Sequence, residues 1–295
     1  MGILPNVELA ATVSIVNKPI IPKLPERLSP SAADTWHGCP KKWWGKYIVR
    51  ISDPPGPAAE LGTLVHSALE ELYEMLPQER TKQAASGLIK EHAKKMTEDG
   101  SFVQVEDSVA FFREAWTRLL TIWKVENPED VNVIATEQKL HTTVGDVPFS
   151  GIIDRLEYVD GVVTVSDYKS GKRPSPAYRE PKDRQIQLYV AATNEATDYE
   201  VKLGRLIWLN ANGAIWDVDS SPAAVDRTVE YFRNVWDEMT EAVKTDQWEE
   251  RTSALCGWCP VLGVCESGKA YVRNLADNGK LKPHATAWAI VDQWE

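Results

Sequence analysis

The 295-residue sequence predicts an α/β (α+β) fold, with one mixed central sheet flanked by helices. Three observations carry that reading. Apolar residues recur with a helical period up to about Glu126, the period shortens to two between Val131 and Lys169, and helix and strand patterns then alternate to about residue 245.

The first 27 residues hold prolines at positions 5, 19, 22 and 25 and no sustained period, which reads as an extended arm. SPSAAD supplies N-cap chemistry for a helix carrying Trp36, Cys39, Trp43 and Trp44. The loop SDPPGPAAE breaks it. LGTLVHSALEELYEML then repeats apolar residues at Leu61, Leu64, Val65, Ala68, Leu69, Leu72 and Leu76, an amphipathic helix. Two further helical stretches follow. VNVIATEQKLHTTV, VPFSGIIDRLEYV and VVTVSDYK read as three consecutive antiparallel strands. A helix over about 183–196, strands in VKLGRLIWLN and AIWDVD, and a helix over about 222–245 complete the pattern. The expected organisation is an arm (1–27), a core (28–250), a cysteine-bearing segment (251–270) and a tail (271–295).

A formal net charge of -10 argues against a protein that coats nucleic acid nonspecifically, so any polyanion must meet local basic patches or metals. No run of 18 apolar residues occurs, and MGILPNVELAATVSIVNKP has no basic n-region. The expectation is a cytoplasmic protein with neither membrane span nor signal peptide. Four cysteines are too few for a disulfide framework in a chain this long. Three of them crowd into CGWCPVLGVC, which suggests a metal site. Twelve tryptophans are many: most suit a core or a shield, and some could stack on bases.

The chemistry is concentrated around one hairpin. GIIDRLEYV and VVTVSDYKS are separated by Asp160-Gly161, a strong two-residue turn signal. With Val159 facing Val162, Asp154 falls opposite Asp167, and Lys169 shares that face. A lone D-x-K is an ordinary solvated strand end. Two carboxylates in register beside a lysine also suit a divalent ion, magnesium or manganese, that takes substrate phosphates in its open positions. The lysine would stabilise transition-state charge or orient the attacking water. His66 lies at the edge of its helix's apolar stripe with Gly62 one turn earlier; alone it reads as well as a boundary histidine. Gln185 and Tyr189 are one turn apart. Lys172, Arg173, Arg179, Lys182 and Arg184, with Lys41, Lys42, Lys46 and Arg50, either form a phosphate groove or are scattered solubilising charge.

The order Gly62-x-x-x-His66, Gly-Ile-Ile-Asp154, Asp167-Tyr-Lys169, Gln185-x-x-x-Tyr189 resembles the RecB-type branch of the PD-(D/E)xK nucleases. Cys39 followed far downstream by Cys256-x2-Cys259-x5-Cys265 resembles the subgroup containing the CRISPR-associated RecB-like exonucleases and the AddB nuclease domain. The resemblance runs from about residue 28 to 268. One departure is Asp167, where many members carry Glu. The resemblance implies a restriction-endonuclease-like sheet with His66, Asp154, Asp167 and the Tyr168 carbonyl as metal ligands. It also implies Lys169 as catalytic lysine, and Gln185 and Tyr189 near the nucleic acid; the basic run after the hairpin adds Lys172 and Arg173 as expected substrate contacts.

For the cysteines, four thiolates also suit zinc, which spacing alone favours slightly. The long gap between Cys39 and Cys256, the Cys39-Pro40 and Cys259-Pro260 pairs, and the resemblance point to a 4Fe-4S cluster joining the N-terminal helix to the C-terminal segment. The expected activity is a Mg2+- or Mn2+-dependent exonuclease on DNA ends, single-stranded first, in phage or bacterial recombination, repair or replication. The alternatives are a non-catalytic DNA-end binding module and a nuclease of CRISPR spacer acquisition. No G-x-x-x-x-G-K-[ST] motif occurs, so a motor would come from a separate helicase or recombinase.

Overall fold

The structure is a computed structural model that describes residues 22–210 and 212–291; most of the expected arm lies outside the described residues. The helices are α1 (Pro30–Gly38), α2 (Pro40–Trp44), α3 (Pro57–Glu74), α4 (Lys82–Glu98), α5 (Ser108–Leu120), α6 (Ile122–Val125), α7 (Glu180–Ala196), α8 (Pro222–Thr245) and α9 (Glu266–Asp277). The strands are β1 (Asn132–Val144), β2 (Val147–Val159), β3 (Val162–Lys169), β4 (Val201–Trp208) and β5 (Ala214–Val218). They form one mixed sheet in the order β1-β2-β3-β4-β5.

All strand pairs are antiparallel except β3 and β4, which run parallel. A parallel pair needs a long crossover, and α7 supplies it. The β2–β3 turn uses Asp160 at φ 50° and Gly161 at φ 79°, the two positive values that a hairpin turn matching the strand twist requires.

Each face of the sheet carries its own core. On one, Leu156, Val165, Leu206 and Trp208 pack with Ile186 and Val190 of α7 and Phe232 of α8. On the other, Tyr168, Ile207 and Leu209 meet Leu64, Val65, Ala68, Leu69 and Leu72 of α3, with α4 and α5 outside them. Burying each such leucine is worth about 1.5–3 kcal/mol, so the stripe that identified α3 is also what fixes it to the sheet.

The structure departs from the sequence pattern in three places. The N-terminal helix does not run through Cys39: α1 ends at Gly38, Cys39 is extended at φ -167°, and α2 restarts at Pro40. Proline disfavours helical backbone in the residue before it. Helix α3 opens at Pro57 rather than after the loop, using proline's fixed φ at the first helical position. Leu76 falls beyond the end of α3 and is 59% exposed, so it is no part of the stripe.

Helices α1 and α2 are tied to the far end of the chain. Lys41 N–H donates to Glu249 O at 2.9 Å, and Arg251 Nη1 to His37 O at 2.8 Å. Trp36, Trp43, Trp44 and Trp248 gather in one aromatic cluster, with Trp43 fully buried. Helix α9 crosses residue 270, and Val272, Leu281 and Ala285 share a small core with Cys256 and Leu262.

Candidate active site

The site forms where β2 and β3 part. Their ladder runs from Val159↔Val162 to Arg155↔Ser166, the register counted from the turn, and stops one step short of Asp154 and Asp167. Beyond that point β3 pairs only with β4, through Asp167↔Leu206 and Lys169↔Trp208. β2 stays with β1, and its freed edge is taken by Leu28, which bonds across Pro148 and Ser150. The strands therefore fork. Inside the fork the Asp154 carboxylate accepts the Tyr168 N–H at 2.7 Å, replacing the missing ladder bond.

Two groups of side chains meet there. Lys169 Nζ lies 2.5 Å from Asp167 Oδ2 and donates to Gln185 Oε1 at 3.0 Å. Gln185 Nε2 donates to Asp167 Oδ1 at 3.1 Å and to the Tyr189 hydroxyl at 3.2 Å. The Gln185-x-x-x-Tyr189 turn of α7 thus bonds directly to the D-x-K. On the other side, His66 Nδ1 lies 3.3 Å from Asp154 Oδ2, its ring edge-on to Tyr168. α3 comes this close because residue 62 is glycine: a Cβ there would sit 3.0 Å from Ser170 Oγ. Lys172 and Arg173 lie in the exposed loop after β3. No hydrogen bond or ion pair of theirs fixes either to the site among the described residues.

Glu137 completes the second group. Ligand atoms of His66, Glu137 and Asp154 all lie within 4.8 Å of one another, at a cavity of about 430 Å³ also lined by Gly62, Thr63 and Glu70. One imidazole nitrogen and two carboxylate oxygens on an open cavity form a donor set that fits a divalent ion. Asp167 is instead held by Lys169 and Gln185, next to this trio.

Sequence reasoning missed Glu137, although the signal was present. Counting from the β1–β2 turn gives Thr136↔Arg155 and Gln138↔Ile153, which sets Glu137 abreast of Asp154. Its φ of 42° is left-handed, costly for a residue with a side chain. Such strain persists where the surroundings impose it, as at a site. Arg155 was missed too. Fully buried behind the fork, it pairs with Glu126 at 2.6 Å and Glu157 at 3.0 Å and donates to the Tyr168 hydroxyl at 2.9 Å. That network braces the two strands from the reverse face.

The charges are poised. Burial, with the Asp154 and Glu70 charges beside it, pushes Glu137 up to about 7. Burial also raises Asp167, opposed by Lys169 and assisted by Asp154. At His66 burial favours the neutral ring, but the Asp154 hydrogen bond and charge outweigh it and the pKa ends above the usual value.

A pH dependence follows. Glu137 is raised in the folded state from 4.5 to about 7, so its favourable contribution is complete below pH 4.5 and is lost as pH rises through 7. Glu137→Gln keeps the side chain neutral and is expected to raise the melting temperature of the metal-free protein by a few degrees at pH 8. That corresponds to about 1 kcal/mol after discounting for solvent screening. At pH 4.5 the difference should vanish. Protons compete with a divalent ion for the same carboxylate, so Mn2+ affinity should rise with pH up to about 7 and level off above it. Thermal melts and Mn2+ titrations across that range check both signs.

Cys39, directly after α1, is near enough to Cys259 and Cys265 to act electrostatically on both thiols, as Cys256 does on Cys259. Cys256 Sγ accepts the Ser253 N–H at 3.2 Å and Cys265 Sγ the Gly268 N–H at 3.3 Å, and Cys259 takes a backbone bond from Val261. Burial pushes the Cys265 thiol up to about 11 and raises Cys259, so without a metal both stay protonated at neutral pH. Among the described residues no three of the sulfurs lie within 4.8 Å of one another.

Comparison with known proteins agrees with this architecture. Among solved structures, a protein from Eubacterium rectale whose name proposes that it is an exonuclease aligns with 76% of this chain and 84% of its own, at 14% identity and a TM-score of 0.51. The structure of SSO0001 aligns with 84% of this chain and 89% of its own, at 14% identity and a TM-score of 0.38. The first likeness supports the fold; the second is too low to add to it. No curated protein matches by sequence. Among the described residues, no helix is long and apolar enough to cross a membrane. The family model described as "PD-(D/E)XK nuclease superfamily" matches residues 27–266, spanning the forked strands, the D-x-K and all four cysteines, and the chain belongs to that superfamily.

Proposed function

We propose that the chain is a Mg2+- or Mn2+-dependent DNA exonuclease that hydrolyses phosphodiester bonds at DNA ends, single-stranded ends first. The observation that carries this is the fork between β2 and β3, where a D-x-K with its glutamine abuts a His–Glu–Asp trio. His66, Glu137 and Asp154, with Asp167 and the Tyr168 carbonyl alongside, would hold the ion. A bound divalent ion supplies Lewis acidity toward the scissile phosphate.

The side chains do the rest. Lys169 presents a fixed ammonium to the charge that builds on the phosphoryl oxygens, and Asp167 with Gln185 holds it in place. Gln185 and Tyr189 form the wall that aligns the strand. Lys172 and Arg173, exposed in the loop after β3, would meet flanking phosphates and give binding its salt dependence. A role in DNA recombination, repair or replication, alongside a separate helicase or recombinase, belongs to this reading.

A 4Fe-4S cluster on Cys39, Cys256, Cys259 and Cys265 belongs to the same reading. The backbone N–H groups aimed at three sulfurs support thiolate ligation there, and the Cys39-Pro40 and Cys259-Pro260 pairs with the long gap between Cys39 and Cys256 favour the cluster over zinc. Its role would be structural, clamping α1 and α2 to the C-terminal segment.

The lysine provides a test. Lys169→Ala should lower Mn2+-dependent cleavage of a linear DNA strand by on the order of a hundred- to a thousandfold. Mn2+ affinity, measured by calorimetry, should stay within a few-fold of wild type. If the variant cleaves at the wild-type rate, the catalytic assignment of Lys169 falls.

A further inference from the structure

Arg179 and Trp216 form a stack that the chemistry above leaves unused. The Arg179 guanidinium lies 3.8 Å above the Trp216 ring, and Trp216 leans on the buried Trp208, centroids 6.0 Å apart. Asp183 grips the guanidinium edge twice, from Nε at 2.6 Å and Nη2 at 3.2 Å, and Nη2 also reaches Asp217 O at 3.4 Å. The plane is therefore pinned. Its charge is met by Asp183, while 33% of the side chain remains exposed.

The stack stands on the active-site face. Trp216 pairs with Leu206, and Leu206 with Asp167. Paired residues share a face, so Trp216 lies two strand spacings, about 10 Å, from Asp167. Arg179 precedes α7 and lies about 9 Å along that helix from Gln185. Tyr178 beside it is 76% exposed. A fixed, charge-compensated guanidinium backed by tryptophan is a flat π surface. It is poorly suited to a phosphate, whose charge would have to compete with Asp183, and well suited to the face of a base.

We propose that Arg179 on Trp216 is a base-stacking platform for the nucleotide next to the scissile phosphate of a single strand, so that the enzyme senses whether a base is present there. This rests on the nuclease reading above.

The test uses the full chain in EDTA, where cleavage is off. Short fluorescent single strands, intact or with one abasic residue at successive positions from the end, are titrated by anisotropy. Wild type should lose about tenfold in affinity when the abasic residue occupies one or two positions near the end. Arg179→Lys keeps the charge but loses the plane: it should bind the intact strand about tenfold more weakly, lose the position-dependent penalty and keep the salt slope. Arg179→Tyr keeps a plane without charge and should restore the penalty. Melting curves confirm that each variant is folded.

The stacking site is overturned if wild type binds and, with Mn2+, cleaves, yet shows no abasic penalty, or if Arg179→Lys retains the penalty in full. A wild-type chain that neither binds nor cleaves any strand overturns the nuclease reading and the platform with it.

Discussion

Asp154→Asn or Asp167→Asn is expected to lower Mg2+- or Mn2+-dependent cleavage by on the order of a thousandfold or more, with the metal-free fold as stable as wild type or slightly more so. The two effects have one cause. Glu137 lies abreast of Asp154, and Asp167 faces Asp154 across the fork; burial first, and the Asp154 charge with it, raise the pKa values of Glu137 and Asp167, although Lys169 opposes the rise at Asp167. Like charges opposed across a sheet destabilise it unless a cation intervenes. Neutralising one member removes repulsion and a ligand together. Asp154→Asn carries an extra signature, because Asp154 also faces His66 at 3.3 Å and accepts the Tyr168 N–H. An amide oxygen can still accept that bond, so the fork should persist, while His66 loses the charge that raises its pKa. Parallel melts and end-labelled cleavage assays separate the two effects. A variant that loses both activity and stability would show the carboxylates to be structural.

The largest effect on stability is expected at the cysteines. Purified anaerobically, the protein should be brown, and Ser at Cys39, Cys256, Cys259 or Cys265 should bleach it and lower its melting temperature by about 10 °C or more. The reason lies in the topology. Cys39 sits at the extended break between α1 and α2, held to the C-terminal segment by the Lys41–Glu249 and Arg251–His37 bonds. Gly45 sits against Val261. Exposed hydrogen bonds of that kind contribute about 1 kcal/mol each, little against so long a loop, whereas four thiolate bonds to the proposed cluster would close it firmly. Iron and sulfide analysis with the absorption spectrum checks the assignment. One tightly bound zinc in a colourless protein would replace the cluster by a zinc clamp.

Much of the fold was legible because its signals are local. The stripe of α3, the period-two runs of β1 to β3 and the Asp160-Gly161 turn each follow from residues a few positions apart, and all appear in the structure. The register counted from that turn also holds, as far as Arg155↔Ser166. What sequence could not show is where pairing stops. The fork depends on β4 claiming β3 and on Leu28 claiming β2, both contacts between residues distant in the chain. Glu137 was missed for another reason: within an alternating strand it reads as one more solvated acid, and its importance appears only when β1 is registered against Asp154. Arg155, adjacent to Asp154, gives no sign in sequence that it is buried. Its partners Glu126 and Tyr73 come from separate helical segments. The break at Cys39, by contrast, was readable from Pro40 and was overlooked.

The fork between β2 and β3 is proposed as a metal-dependent hydrolytic site for DNA ends. It is tested most directly by incubating the purified chain with a labelled linear single strand and a closed circular single strand of the same sequence, with Mn2+ and with EDTA. Progressive shortening of the linear strand is expected with Mn2+, none with EDTA, and an intact circle throughout. No cleavage of either strand at any Mn2+ or Mg2+ concentration, or equal cleavage in EDTA, would contradict it.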